Sequence, residues 1–212
     1  MLFPLSKSWY LAYYRKTRYR YILNTLQSLY GNTDPFAIAK HAKSKQKESS
    51  ELTYGEINSI TILDLFARIS PRNELVYDLG SGGGKAMLAI KLRYPQLNVI
   101  GIEKVPALNN LAKEKYLEYL KRHKLKEADF LLTHIQQDIK DYPFDDAQII
   151  FINATAFEDS WPPILEKLHQ VKSGSKIIIT SKTLSPDAFK KLYQGMEQMS
   201  WGLTSTYIYE KK

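Results

Sequence analysis

Short apolar runs alternate along this chain with longer stretches whose apolar positions recur every three or four residues. Arg18 to Tyr30 carries a Tyr/Ile/Leu face opposite its cations, the pattern of a docked amphipathic helix. Gly31 to Ser50 is polar, with Lys40 to Lys47 reading as a charged connector. Ile57 to Ile69 places Ile60, Leu63, Leu65, Phe66 and Ile69 at helical spacing. A first strand, Leu75 to Leu79, precedes a helix over Lys85 to Arg93, and a second strand covers Asn98 to Glu103. The next helix, Ala107 to about Lys121, keeps Leu108, Leu111, Ala112, Tyr116, Leu117 and Leu120 on one face. Phe130 to Ile135 is a third strand. Gln148 to Asn153 is a fourth, apolar almost throughout and therefore central. A helix over Pro163 to Val171, a fifth strand over Lys176 to Thr180 and a short helix after Ser185-Pro186 follow. Met196 to Tyr209 reads as a hairpin turned at Gly202. Strands alternating with helices predict an α/β fold with a mostly parallel sheet, closed by a C-terminal β-hairpin. The organisation expected is a basic, aromatic, helical N-terminal extension over residues 1–50 and one domain over residues 51–212.

The chemistry concentrates at the end of the first strand. Asp78 is followed by Gly80, Ser81, Gly82, Gly83, Gly84 and Lys85. Such a turn lets a ligand approach the backbone, and the N–H groups opening the next helix point at it. A dinucleotide fingerprint requires Gly-x-Gly-x-x-Gly, but Lys85 or Met87 stands where the third glycine belongs. A phosphate loop requires Gly-Lys-Ser/Thr, and Ala86 follows Gly84-Lys85. What remains, Asp-x-Gly-x-Gly-x-Gly, is similar to the first motif of class I S-adenosylmethionine (SAM) methyltransferases. A tight turn of purely structural origin is the competing reading. Glu103 ends the second strand about 20 residues on, where an acid accepts hydrogen bonds from ribose hydroxyls; it could equally be a solvated strand-end carboxylate.

Charge then separates the two halves. Residues 1–47 hold nine cations and one acid, Asp34, whereas residues 48–212 hold 21 of each. The extension also carries Trp9, Tyr10, Tyr13, Tyr14, Tyr19, Tyr21 and Tyr30. Cations interleaved with aromatics suit an acidic or nucleic-acid surface. A docked structural helix and a transit peptide are the alternatives. With no cysteine, the chain has no disulfide framework, no Cys-based zinc site and no Cys nucleophile. No apolar run reaches the length of a membrane span. An intracellular, cytoplasmic protein is the default expectation.

Further residues sharpen the resemblance. Leu52-Thr53-Tyr54-Gly55-Glu56-Ile57 lies upstream of the turn, Asn153-Ala154-Thr155-Ala156-Phe157 follows strand four, and Thr180-Ser181-Lys182 ends strand five. The tail holds Ser200-Trp201-Gly202 and Tyr207. In this order the series resembles the disruptor-of-telomeric-silencing histone lysine methyltransferases, the non-SET class, over roughly residues 50–209. The resemblance implies a Rossmann-like seven-stranded class I methyltransferase sheet, with SAM as cofactor and S-adenosylhomocysteine as product. It implies that Tyr54, Gly55 and Glu56 close over the methionine end of SAM. Asp78, Gly80, Ser81, Gly82, Gly84 and Lys85 form the glycine turn, Glu103 with Lys104 the ribose side, and Asp138 with Ile139 the adenine side. Asn153 stands at the methyl-transfer point, its side-chain oxygen orienting the amine, with Phe157 near the mouth of a lysine channel and Tyr207 as a channel wall. The family has an aromatic at Ile139, a second asparagine at Ala154 and a phenylalanine at Thr155. The function implied is a protein lysine N-methyltransferase whose partner is a protein with an accessible lysine. An RNA or DNA methyltransferase docking through the basic arm is an alternative, as is a small-molecule methyltransferase. Against the first, Asn153-Ala154-Thr155-Ala156 does not resemble the Asn/Asp-Pro-Pro-aromatic signature of adenine-amino methyltransferases.

Overall fold

The apolar runs assemble into one seven-stranded sheet of order β3-β2-β1-β4-β5-β7-β6. The computed structural model describes residues 16–46 and 54–212. Lys7, Arg15 and Lys47, the aromatics Trp9, Tyr10, Tyr13 and Tyr14, and Leu52-Thr53 lie outside the described residues. The parallel strands are β1 (Leu75–Leu79), β2 (Asn98–Glu103), β3 (Leu132–Gln136), β4 (Ile149–Ile152) and β5 (Lys176–Thr180). β4 is buried at all four residues because β1 and β5 flank it and helices cover both faces. β6 (Phe189–Met199) and β7 (Gly202–Lys211) form the terminal hairpin, and β7 runs antiparallel to β5.

The helices are α1 (Arg20–Tyr30), α2 (Pro35–Gln46), α3 (Ser59–Ile69), α4 (Lys85–Arg93), α5 (Pro106–His123) and α6 (Trp161–Gln170). Asn58 caps α3, its side-chain oxygen accepting from the Ile60 N–H at 2.9 Å. α1 lays Ile22, Leu26, Leu29 and Tyr30 into the same apolar cluster as Leu63, Phe66, Leu88 and Val99. Two polar anchors fix it there: the Tyr19 hydroxyl donates to Asp64 at 3.0 Å, and the Tyr30 hydroxyl to the Gly83 carbonyl at 2.9 Å. No described helix is long and apolar enough to cross a membrane.

Three expectations are corrected. Lys40 to Lys47 is not a connector as far as it is described: α2 runs through Gln46 and packs Ile38, Ala39 and Ala42 beside Val105, Leu108 and Tyr54. No helix follows Ser185-Pro186. The Ser185 carbonyl accepts from Ala188 and Phe189, which closes a single turn before β6 begins. The hairpin is longer than Met196 to Tyr209 and turns at Ser200-Trp201.

The chain builds outward from β1 to β3, then crosses back to β4 and β5. This reversal opens a crevice at the carboxyl ends of β1 and β4, the place where open α/β sheets bind ligands.

Candidate functional site

That crevice is a cavity of about 290 Å³. Tyr54, Gly55, Glu56, Asp78, Gly80, Ser81, Gly82, Lys85, Glu103, Lys104, Asp138, Ile139, Asn153 and Phe157 all line it. Five segments far apart in sequence thus supply one wall each. Gly84 and Tyr207 are the expected site residues that do not line it. Gly84 turns away, a Cβ there meeting Ala112 at 2.7 Å. Tyr207 pairs with Ile179 across the sheet and packs beside Tyr209, ring centroids 5.9 Å apart, within the apolar cluster under the sheet. The tyrosine expected as a channel wall is therefore a packed strand residue.

The glycine turn and β2 are locked together. One Glu103 oxygen accepts from the Gly82 N–H and the other from the Val105 N–H, each at 2.8 Å. Burial pushes this carboxyl upward, and the backbone donors pull it back down. Gly82 sits at φ +55, and a Cβ there would come within 2.8 Å of the Tyr54 ring, so any side chain would be both strained and crowded. Asp78 lies beneath, fully buried, its carboxyl raised to about 8 by burial and then by Glu103. Its Oδ2 and the Ser81 Oγ are buried without a hydrogen-bond partner. Asp138 accepts from the Lys140 N–H at 3.0 Å and has Lys104 at 3.7 Å. Phe157 and Ile139 both stand beside Gly80, so Phe157 faces the glycine-turn end of the cavity.

The upstream segment is held from the opposite end of the chain. The Glu56 N–H donates to the Ser200 Oγ at 3.1 Å, and the Ser200 N–H to the Glu56 carbonyl at 2.8 Å. The Trp201 ring lies over Gly55 so closely that a Cβ there would stand 2.1 Å from it. The Tyr54 hydroxyl donates to Glu56 at 2.7 Å, and the Lys85 ammonium reaches the other Glu56 oxygen at 3.2 Å. Burial and Glu56 drive the Tyr54 phenol far upward, so it stays protonated and donating.

Asn153 is fixed on three sides. Its amide N–H donates to the Gly55 carbonyl at 3.1 Å, while Oδ1 accepts from Thr180 at 2.7 Å and from Thr155 at 3.2 Å. The oxygen expected to orient an amine thus holds two hydroxyls, the Thr155 bond being the longer. Sequence reading missed Trp201, Thr155, Ala39 and Leu108 as lining residues. The first reaches the cavity through the Glu56–Ser200 pairing, for which the sequence carries no local signal.

The cavity fits the nucleoside and amino-acid ends of SAM. An anchored carboxylate, two unpartnered buried oxygens, a glycine wall and the paired charges of Glu56 and Lys85 line it together.

Comparison with known proteins agrees. The family model "Histone methylation protein DOT1" matches residues 36–207. A search of curated proteins finds no match. Among solved structures, TrmN from Thermus thermophilus superposes with TM-score 0.59 at 14% identity over 82% of this chain, which spans about half (53%) of TrmN. The SAM-bound magnesium protoporphyrin IX methyltransferase ChlM from Synechocystis PCC 6803 gives 0.58 at 11% identity, covering 84% of this chain and 98% of its own. A putative RNA methyltransferase from Pyrococcus horikoshii, PH1948, gives 0.56 at 14%, again over 84% and 98%. At these identities the likeness is one of fold.

Proposed function

The chain belongs to the DOT1 histone methylation family, and on that premise we propose that it is a protein lysine N-methyltransferase. It is a methyltransferase whose cofactor is SAM. The observation that carries the lysine reading is Asn153, which lines the cavity clamped between Gly55 and Thr180.

Bound SAM would supply an electrophilic methyl group on its sulfonium. Glu103 would hold the ribose hydroxyls through oxygen lone pairs that the Gly82 and Val105 N–H groups leave free. Asp138 would accept the adenine amino group, with Ile139 and Phe157 as its apolar bed. Glu56 and Lys85 would hold the ammonium and carboxylate of the methionine end, exchanging their mutual pair for the ligand's charges. Asn153 would align the incoming amine by accepting one of its N–H groups. Alignment is most of what such an in-line displacement requires. The amine must react in its neutral form, and an apolar approach weakens its hold on the proton. The remaining site residues, Ser81 and Lys104, would line the nucleoside side.

The basic N-terminal residues give one specific reason to keep nucleic acid in view, as substrate or as docking surface. The deciding experiment is transfer of radiolabelled methyl from SAM to nucleosomes, free histones and a cell lysate, each split between protease and nuclease. Label that survives nuclease, is lost to protease and hydrolyses to methyl-lysine supports the proposal. Label lost to nuclease replaces it with nucleic-acid methylation.

A further inference from the structure

A lysine amine is an ammonium in water, with a pKa of about 10.4, and a buried approach leaves its proton without an obvious acceptor. Of the four carboxyl groups lining the cavity, three are engaged and the fourth, Asp78, is buried away from solvent. Glu56 is held by Tyr54 and Lys85, and Glu103 by two backbone N–H groups. Asp78 lies under the turn, and Asp138 stands between Lys104 and Lys140. Lys182, next to Ser181, lies over the Trp161 ring. Hydroxyls, in contrast, form a line leading outward. Thr155 Oγ1 lies 3.2 Å from Asn153 Oδ1 and 2.8 Å from Ser181 Oγ. Asn153 is half-buried, whereas Thr155 and Ser181 are both exposed. The resembling family has a phenylalanine at Thr155, so the line belongs to this chain.

The geometry points to a proton outlet: the Thr155 and Ser181 hydroxyls carry the proton of the substrate ammonium from Asn153 to solvent. The inference rests on the lysine reading above. As the amine takes a place on Asn153 Oδ1, it displaces the longer Thr155 bond. Thr155 turns toward Ser181. The N–H bond of the ammonium breaks as Thr155 Oγ1 takes that proton; Thr155 passes its own proton to Ser181 Oγ, and Ser181 passes its own to a water. Both hydroxyls end neutral, one proton reaches solvent, and the nitrogen keeps its lone pair for the methyl carbon. Thr180 is outside the line: its hydroxyl donates to Asn153 and accepts from the Ala154 N–H at 3.1 Å, which makes it a positioning residue.

The test measures single-turnover transfer against pH with SAM and a protein substrate that yields methyl-lysine with the wild-type protein. Thr155→Val and Ser181→Ala should each move the acidic limb of the profile up by about one pH unit, about tenfold in rate on that limb. Both should approach the wild-type plateau at high pH. Thr155→Ser should restore the wild-type limb, and added imidazole should speed Thr155→Val at fixed pH by taking the proton directly. An unmoved limb in either variant, or a loss equal at every pH, overturns the outlet while leaving the lysine reading intact. Absence of methyl-lysine from every wild-type reaction removes the lysine reading and the outlet with it.

Discussion

Gly82 and Asn153 both line the cavity, yet they separate two functions. Any side chain at Gly82 collides with Tyr54 and breaks the turn that gives its N–H to Glu103. Gly82→Arg should abolish SAM binding, read by calorimetry, and activity with it. Asn153 is wedged among Gly55, Thr180 and Thr155 at the proposed transfer point. Asn153→Ala should lower kcat by about 100-fold, the scale of a small misalignment, with SAM affinity little changed. Equal loss of binding in both would remove the aligning role. Asp78 sets a second expectation. Its folded value of about 8 exceeds the unfolded 3.8, so the ligand-free fold holds its proton over that window and the unfolded chain does not. The stability it contributes is complete below about 4 and is lost as pH rises through about 8. Thermal melting of the ligand-free protein from pH 5 to 9 should therefore show Asp78→Asn gaining on the wild type as pH rises. A constant gap would mean that Asp78 is ionised throughout.

At the scale of elements, the contact between α1 and the glycine turn is the most exposed to test. Tyr30→Phe keeps the apolar face of α1 but leaves the Gly83 carbonyl without its donor. Urea unfolding should show a cost of about 1–3 kcal/mol, the penalty of a buried unsatisfied group, and SAM affinity should fall because Gly83 adjoins Gly82. An unchanged stability would make α1 an appendage. The strands show what was legible beforehand and why. β1, β2 and β5 begin and end where the apolar runs do, because each run is central and stops at an acid, a glycine or a polar turn. α2 was illegible because its buried side is only Ile38, Ala39 and Ala42 among cations, too narrow a stripe to show a period. The residues after Ser185-Pro186 carry helix-start chemistry, but β7 offers Phe189 a ladder that local capping does not. The site divides in the same way. Asp78, Gly82, Glu103 and Asn153 follow from strand ends read locally. Trp201 over Gly55 depends on a pairing of residues 144 apart, Glu56 with Ser200, which no local pattern reveals.

On the whole molecule, the cavity and a group of exposed lysines lie at opposite ends of α5. α5 starts beside the cavity, where Val105 and Leu108 line it, and runs about 25 Å to its far end. There Lys121, Lys124 and Lys126 are exposed, and Arg122 reaches across to Ser28 of α1 at 2.5 Å. Lys16, Arg18 and Arg20, exposed just before and at the start of α1, carry the cations of the N-terminal extension. A polyanion held on this side would leave the cavity open for a lysine some distance away, as in a protein bound to nucleic acid. Charge would then act on capture and not on the transfer step. With such a substrate, log KM should rise with log salt between about 50 and 200 mM, with a slope of about 0.9 for each phosphate neutralised. Lys121→Glu, Lys124→Glu and Lys126→Glu together should lower that slope, while kcat at saturating substrate and SAM affinity stay at wild-type values. A slope indifferent to the triple substitution would place capture elsewhere, on Lys16, Arg18 and Arg20 if their joint replacement by Glu flattens it, and on other cations if it does not.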